Sequence, residues 1–376
     1  MKPSVVLLPL NAIYSAVTRT RLAAYRRGWF PVSKLDATVI SVGNLTTGGT
    51  GKTPLVEWLC RAIASARLAE NSREAKRLCV LTRGYGRHNP KNQVVVSNGV
   101  ELLAGAHEAG DEPFLLARNL LGIAAVVANP DRVAAGEWAL KNFNTEYFVL
   151  DDGFQHLRLA RDLNIVTIDA TNPWGGGSLL PYGRLREPRD GLSRADCVVM
   201  TRTDQVEDLP STKAAVMRLA GGATPIFLSR MTTSRIRKLD GEIANPESLR
   251  SKKLGAFCGL GNPESFFNHL RGEGLIPAFT RAFADHHNYD QLELDALVKE
   301  AKSCGARGLI TTAKDAIKLA TLNLELPCYV LEIQISIDDE ERLLDIVHTI
   351  VHRNRRHKRS ERGQARLPQP TMSNEK

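Results

Sequence analysis

A glycine-rich stretch that ends in Gly51-Lys52-Thr53 has the residue types and spacing that bind nucleotide phosphates. It follows an apolar run predicted as a β-strand and precedes an apolar pattern of helical period, as a phosphate-binding loop (P-loop) requires. Glycines let backbone N–H groups turn toward a phosphate, and the following helix adds its positive dipole. We expect Lys52 to reach the β- and γ-phosphates and the Thr53 hydroxyl to bind Mg²⁺. The predicted nucleotide-binding residues are Thr46, Thr47, Gly48, Gly49, Thr50, Gly51, Lys52 and Thr53.

Two adjacent carboxylates, Asp151 and Asp152, follow a second apolar run at residues 147–150. An aspartate at the carboxyl end of such a strand is where P-loop proteins hold Mg²⁺, directly or through water. Asp-Asp-Gly also forms a good turn after a strand. With a P-loop upstream, we favour the metal interpretation and predict Thr53, Asp151 and Asp152 as the magnesium-binding residues.

Several further polar clusters are present, many of them just after predicted strands, and in a doubly wound sheet the ends of those strands meet in one crevice. Each cluster by itself is also typical of a helix cap, a turn or a solvated surface. They occupy residues 83–87, 110–113, 129–132, 185–189 and 285–289.

Two segments resemble guanine-reading motifs, Thr-Arg-Thr-Asp at residues 201–204 and Thr-Ala-Lys-Asp at residues 312–315. The sequence contains no Asp-x-x-Gly, so the usual γ-phosphate switch of a GTPase is missing. It also lacks the cysteine or histidine cluster that a GTP-driven metallochaperone is expected to carry. We therefore disfavour a GTPase and expect residues 201–204 to frame an adenine.

The composition is that of a globular protein long enough for two domains, with 376 residues of which 43% are hydrophobic. Six cysteines lie far apart without a Cys-x-x-Cys pair, which argues against a zinc site or a dense disulfide framework. The simplest expectation is a reduced protein on the cytoplasmic side of a membrane.

The net charge of +9 is concentrated at the two ends of the chain. Residues 1–35 hold six basic and no acidic side chains, and residues 352–376 hold eight basic side chains against two acidic ones. Near the amino end, Leu10, Ile13, Tyr14 and Val17 fall on one face of a helix. Residues 3–18 carry no charge, but this run is too short to cross a bilayer. The pattern therefore favours a helix that lies in the membrane interface. An ordinary helix packed on its own domain is the alternative.

Short apolar runs alternate with helical stretches, which predicts an α/β fold with a P-loop NTPase-type, mostly parallel sheet flanked by helices. Strands are expected at 38–42, 78–82, 124–128, 147–150, 164–168 and 197–201, with an edge strand at 225–228. Strands of a smaller second α/β unit are expected at 254–258, 308–312 and 328–331. The predicted organisation is an interface helix region (1–35), a P-loop domain (36–228), a linker or hairpin (229–245), a smaller C-terminal α/β domain (246–352) and a basic disordered tail (353–376).

The order of these motifs resembles the tetraacyldisaccharide 4′-kinases, the lipid A 4′-kinases of bacteria with an outer membrane. The resemblance covers about residues 5–350, and Asp-Asp-Gly-Phe-Gln-His beside this P-loop is its most specific part. The shared blocks are residues 43–54, 83–85, 110–113, 151–156, 185–188 and 283–287.

The resemblance implies transfer of the ATP γ-phosphate to the 4′-hydroxyl of a tetraacyldisaccharide 1-phosphate. It implies ATP and Mg²⁺ as cofactors and the acylated disaccharide as substrate. By the family pattern Asp111 is the general base, acting with His286, which Asp285 orients, while Lys52 holds phosphate; His287 remains an alternative to His286. Residues expected to bind the disaccharide, the phosphates or the metal are Tyr85, Glu112, Arg132, Gln155, Arg186 and Glu187.

The implied location is the cytoplasmic face of the inner membrane, reached through the N-terminal helix. No nucleic-acid partner and no obligatory protein partner are expected. Two other classes stay open at this point. One is a membrane-associated P-loop ATPase that acts as a conformational switch, and the other is a nucleotide sensor without turnover.

Overall fold

The computed structural model describes residues 8–68, 77–85, 87 and 89–364. Its strands are β1 (Thr38–Asn44), β2 (Leu78–Thr82), β3 (Val94–Ser97), β4 (Ala125–Ala128), β5 (Tyr147–Asp151), β6 (Leu163–Asp169), β7 (Cys197–Thr201), β8 (Ile226–Lys238), β9 (Ile243–Ala244), β10 (Gly255–Cys258), β11 (Phe279–Ala282), β12 (Leu309–Thr312) and β13 (Cys328–Ile337). Its α-helices are α1 (Leu8–Arg26), α2 (Lys52–Leu68), α3 (Ala106–Ala109), α4 (Asp111–Asn119), α5 (Arg132–Phe143), α6 (Leu209–Leu219), α7 (Pro246–Arg250), α8 (Pro263–Gly272), α9 (Gln291–Ser303), α10 (Ala313–Lys318) and α11 (Glu340–Gln364).

The strands form one mostly parallel sheet in the order β11-β10-β12-β13-β8-β7-β6-β1-β5-β2-β4-β3, with β9 paired to β8. The antiparallel pairs among the described strands are β3 with β4, β8 with β13 and β8 with β9. Every residue of β1, β2 and β5 is buried, as expected for parallel strands covered by helices on both faces. The predicted fold class is confirmed.

Strand β8 differs from the sequence-based prediction of an edge strand followed by a linker. Its first residues pair in parallel with β7, and the same strand continues to Lys238 alongside β13. Buried Phe227, Ser229 and Met231 alternate with less buried residues, so the first half of the strand has a period of two. The register then shifts opposite Glu332 and Ile333, and Ile236 is buried beyond that shift. The predicted hairpin after it is present, because β8 pairs with β9 across the turn at Asp240. The division into two domains at residues 229–245 stays a prediction.

The two ends of the described chain are helical. Helix α1 leaves Leu10, Ile13 and Val17 more than half exposed, whereas the Tyr14 hydroxyl donates to the backbone oxygen of Arg186 at 2.8 Å. Among the described helices, none combines the length and apolar character that crossing a bilayer requires.

Helix α11 extends to Gln364, so residues 353–364 are helical where the sequence predicted a disordered tail. Arginine, lysine, glutamine and glutamate are good helix formers, which the charge-based prediction overlooked. The rest of the predicted tail, residues 365–376, and the start of the predicted interface region, residues 1–7, lie outside the described residues.

Asp315 ties the C-terminal strands to α10 through its fully buried carboxylate. The carboxylate accepts hydrogen bonds from the Gly259 N–H (3.0 Å), the Tyr289 hydroxyl (3.0 Å) and the Thr312 hydroxyl (2.6 Å). We expect Asp315→Ala to lower the free energy of unfolding by about 3 kcal/mol, because it leaves buried donors without an acceptor. Urea unfolding checks this, with exposed Glu207→Ala as the control. Equal stability of the two variants would contradict the assigned role.

Candidate active site

A large cleft of about 1760 Å³ opens at the carboxyl ends of the central strands. Its walls come from the P-loop (residues 47–53), from α1, and from the loops and helices of the C-terminal strands. The carboxyl edge of a parallel sheet is where α/β proteins bind ligands. The cleft therefore joins the predicted phosphate site to the exposed N-terminal helix.

The P-loop is held in shape by a buried network of polar side chains at the end of β1. The Asn44 amide donates to the Thr46 backbone oxygen at 2.7 Å and to the Thr50 hydroxyl at 2.9 Å. The Thr50 and Thr167 hydroxyls are 2.9 Å apart, and Thr201 donates to the Thr50 backbone oxygen. Thr46 and Thr50 are thus buried supports of the loop, and residues 47–49 and 51–53 join Thr50 in lining the cleft.

Two P-loop glycines have backbone angles that favour glycine. Gly48 has φ +108 and Gly51 has φ +80, both in the region that side chains with a Cβ rarely occupy. A Cβ at Gly51 would also lie 2.6 Å from the Met231 methyl group. Gly48 and Gly49 have open space where a Cβ would be, so their backbones are exposed to an incoming phosphate.

Asp151 and Asp152 lie at the carboxyl end of β5, beside the P-loop, and have opposite electrostatics. Both carboxylate oxygens of Asp152 accept hydrogen bonds from Arg186, at 2.6 and 2.7 Å. Asp152 Oδ1 also lies 3.5 Å from Lys52 Nζ. Burial by itself would raise the pKa of Asp152, but Lys52 and Arg186 hold it well below its usual range. Burial and the neighbouring Asp152 raise the pKa of Asp151 to about 6, although Thr82 donates to it at 2.9 Å.

The donor set fits Mg²⁺ in the presence of a nucleotide. Among the described residues, no group of three or more His, Cys, Asp or Glu side chains converges as a metal cage. Mg²⁺ usually takes one or two carboxylates, with phosphates and water as the other ligands. Asp151, Asp152 and Thr53 line the same cleft and supply such a set.

A second cluster of charges, built around His286, is positioned by α4, the loop after β11 and α10. The His286 Nδ1 lies 3.8 Å from Asp111 Oδ2, and its Nε2 lies 3.9 Å from Glu112 Oε1 and 4.0 Å from Asp285 Oδ1. The Tyr85 ring lies against the imidazole, with centroids 5.3 Å apart. The chain thus brings together all three residues predicted for proton transfer.

His286 has φ 61, a left-handed backbone angle that is uncommon for residues other than glycine. Its neighbour His287 lies elsewhere, stacked on Phe283 with centroids 4.8 Å apart and paired with Glu293 at 2.9 Å. Of the two adjacent histidines, His286 is the one that lines the cleft. The geometry therefore favours His286 over His287.

Lys314 and Lys318 of α10 reach this cluster, and the sequence-based candidate list contains neither. Lys314 Nζ lies 3.0 Å from Glu112 Oε1, and Lys318 Nζ lies 3.0 Å from Asp111 Oδ2. Lys314 belongs to the Thr-Ala-Lys-Asp segment that was considered only as a guanine-reading motif. The sequence signal that points to Lys314 is its position directly after a predicted strand of the C-terminal unit.

The six residues predicted to bind substrate or phosphate all line the cleft, but they differ in how far their side chains are engaged. Tyr85 is 66% exposed. Burial lowers the pKa of Arg132 to about 10, and its guanidinium donates to the Asp151 backbone oxygen at 3.4 Å. Glu187 is buried and accepts from Gln155 at 2.8 Å and from Arg194 at 3.0 Å, so these contacts support the loop that presents Arg186.

The segment at residues 201–204 turns after β7 beside the P-loop. Arg202 forms a 2.6 Å ion pair with Asp169, and the Thr203 hydroxyl donates to the Ser229 backbone oxygen. Arg202 and Gln205 both line the cleft. The expectation that this segment frames an adenine stays a prediction.

A P-loop at the centre of a parallel sheet, with a carboxylate pair at the next strand and an Asp–His pair across the cleft, defines a P-loop phosphotransferase. A family model described as tetraacyldisaccharide-1-P 4′-kinase (LpxK) matches residues 3–352. The chain belongs to this family, as its sequence motifs indicated.

Individual relatives agree with the family model. A tetraacyldisaccharide 4′-kinase of Geobacter metallireducens is 41% identical over 315 residues, which are 84% of this chain and 88% of the relative. One of Syntrophotalea carbinolica is 39% identical over 350 residues, or 93% and 92% of the two chains. A crystal structure of LpxK from Aquifex aeolicus, described as an "apo" form in complex with ATP, is 33% identical with a TM-score of 0.71. It aligns with 92% of this chain and 98% of its own. The relatives are kinases, as predicted, and the conformational switch is not favoured.

Proposed function

We propose that this chain transfers the γ-phosphate of ATP to the 4′-hydroxyl of a tetraacyldisaccharide 1-phosphate, an intermediate of lipid A synthesis. The observation that carries the proposal is that His286, which lies 3.8 Å from Asp111, and the P-loop lysine Lys52 line the same cleft. Lys52 and the loop amides are the phosphate-binding groups, and Asp111, with His286, is the proton acceptor.

The reaction follows from the charges around the cleft. The acceptor hydroxyl gives its proton to the Asp111 carboxylate while its oxygen forms a bond to the γ-phosphorus. The bond from that phosphorus to the β,γ-bridging oxygen breaks, and ADP leaves. Lys52 and Arg186 place positive charge where the phosphoryl oxygens and the leaving group become more negative. The Asp285 and Glu112 carboxylates lie within 4.0 Å of the His286 imidazole.

Thr53, Asp151 and Asp152 would hold Mg²⁺, which would neutralise part of the phosphate charge. Tyr85, Arg132, Arg186 and Gln155 are the proposed contacts to the disaccharide and its phosphate. Glu187 acts in this proposal through Gln155, to which it is hydrogen-bonded.

Helix α1 is the proposed membrane contact at the cytoplasmic face of the inner membrane. Its exposed Leu10, Ile13 and Val17 form one apolar face, and Arg19 and Arg21 follow directly. Apolar side chains in the acyl region with arginines at anionic headgroups are typical of interfacial helices. Because Val17 and Arg21 also line the cleft, an acylated acceptor could reach the site while its chains stay in the bilayer.

We expect Ile13→Glu to weaken binding to vesicles of phosphatidylethanolamine and phosphatidylglycerol by about tenfold or more, because a carboxylate replaces a side chain buried in lipid. Vesicle co-sedimentation measures this. Ile243→Glu is the matched control, since Ile243 is 70% exposed on β9. Equal binding by Ile13→Glu and the wild type would exclude α1 as the contact.

The kinase and a switch ATPase differ in what ATP turnover requires. We expect ADP release to depend on added tetraacyldisaccharide 1-phosphate in detergent micelles, with little release from micelles alone. Rapid ADP release without acceptor, unchanged when acceptor is added, would overturn the proposal in favour of the switch.

A further inference from the structure

Helix α10 carries two lysines, Lys314 and Lys318, four residues apart and therefore on the same helix face. Both ammonium groups point to the cluster around Asp111 and His286. The lysine expected to bind the ATP phosphates is Lys52 of the P-loop, and we assign that role to neither Lys314 nor Lys318. Their contacts fix the two residues proposed for proton transfer.

Lys318 holds the Asp111 carboxylate from a buried position. Its side chain is 7% exposed, and its Nζ lies 3.0 Å from Asp111 Oδ2. The same ammonium donates to the His287 backbone oxygen at 2.7 Å. Asp111 is the first residue of α4. Lys318 therefore connects α4, through the Asp111 carboxylate, to the loop that carries the two histidines.

Lys314 determines which nitrogen of His286 carries the proton. Its Nζ lies 3.2 Å from His286 Nε2, 3.0 Å from Glu112 Oε1 and 3.5 Å from Asp285 Oδ1. Burial by itself would lower the pKa of Lys314, but Glu112 and Asp285 raise it, so the group is an ammonium with donors only. His286 Nε2 is therefore the acceptor, and the imidazole proton sits on Nδ1, the nitrogen that faces Asp111.

We propose that Lys318 and Lys314 are positioning residues of the phosphotransfer site, which hold Asp111 and His286 in one geometry and one arrangement of protons. This inference rests on the proposed function, because it assigns the lysines to the same proton-transfer pair. It makes the catalytic pair dependent on α10, an element of the C-terminal unit.

The proposal has a consequence for the pH dependence of turnover. The charged groups that face Asp111 are Lys318 from α10 and His286 from the loop after β11, with Glu112 beside it on α4. Burial by itself would raise the pKa of Asp111, but His286 and Lys318 together lower it. Without Lys318 the pKa rises, so the carboxylate is protonated over more of the acid range and the acid limb of the kcat profile moves to higher pH.

The test uses the full-length enzyme with Lys318→Met and Lys318→Arg, and the exposed Lys299→Met as a control. We expect Lys318→Met to lower kcat by about 10- to 100-fold with the KM for ATP little changed, and to shift the acid limb upward. Lys318→Arg keeps the charge and should restore the wild-type limb. If Lys318→Met does not fold, the pH profile of kcat for Lys318→Arg decides. An acid limb of Lys318→Arg that is lost, or displaced as far as in an Asp111 variant, would overturn the proposal.

A second readout follows His286 itself. In ¹⁵N spectra of labelled protein, we expect Nε2 of His286 to have the shift of an unprotonated nitrogen, and Lys314→Met to move it toward the other tautomer. Unchanged histidine spectra and an unchanged kcat profile in both methionine variants would show that the lysines only tie α10 to α4. If the wild type itself transfers no phosphate to the acceptor, the proposed function fails, whereas the tautomer result still stands for or against the lysines.

Discussion

Asp111→Asn is expected to lower kcat by about 10³-fold, because the amide cannot accept the acceptor hydroxyl's proton. The KM for ATP should change little, since the ionic contacts of Asp111 described above are with His286 and Lys318 and not with the P-loop. Steady-state assays at saturating acceptor measure both constants. The substitution keeps the shape of the side chain, so a fall in kcat reports the lost base.

The matched control for Asp111→Asn is Glu108→Gln, an exposed acidic position on α3 three residues earlier in the chain. It removes one negative charge near the same helix without touching His286. A wild-type kcat for Asp111→Asn would remove Asp111 from the mechanism. A comparable loss of kcat in both variants would mean that the negative charge of this region, and not proton transfer to Asp111, determines the rate.

Lys52→Met is expected to reduce kcat/KM for ATP by about 10³-fold. Lys52 follows Gly51 at the start of α2, and its Nζ lies 3.5 Å from Asp152 at the end of β5. Removing the ammonium takes away the positive charge that neutralises the transferred phosphoryl group, a contribution of about 10²–10³ in rate for a single preorganised donor, with weaker ATP binding in addition.

Nucleotide binding measured by calorimetry separates the two parts of the Lys52 effect. The variant should bind ATP more weakly and should also turn over more slowly at saturating ATP. Lys299→Met, at an exposed site on α9, is the control for loss of one lysine. Unchanged kcat/KM in Lys52→Met would mean that the glycine-rich loop does not hold the reacting nucleotide.

The parts of this fold that local pattern determines were predictable from the sequence. Strand β2 and strand β7 have the bounds predicted, because short, mostly apolar runs between polar turns leave little ambiguity. The long β8 was missed beyond Leu228, since its partner β13 lies about a hundred residues further along the chain. Pairing over that distance leaves no local signal, and the arginines of β8 obscured the alternation.

The site was predictable to the extent that its chemistry is carried by compact motifs. The P-loop is one contiguous sequence motif and the carboxylates at the end of β5 are another. The structure brings the two motifs together at one edge of the sheet. The choice between His286 and His287 required the stacking of His287 on Phe283, which adjacency in sequence cannot reveal. Lys318 went unnoticed because its partner Asp111 lies two hundred residues away.

The most direct test of the central claim is the transfer of radiolabelled γ-phosphate from ATP to detergent-solubilised tetraacyldisaccharide 1-phosphate, run beside a 4′-deoxy analogue of the acceptor. We expect label in the lipid with the natural acceptor, and none with the analogue, which lacks the hydroxyl that Asp111 would deprotonate. Label in both lipids would place the phosphate at another position. ATP hydrolysis without label in either lipid would contradict the kinase assignment itself.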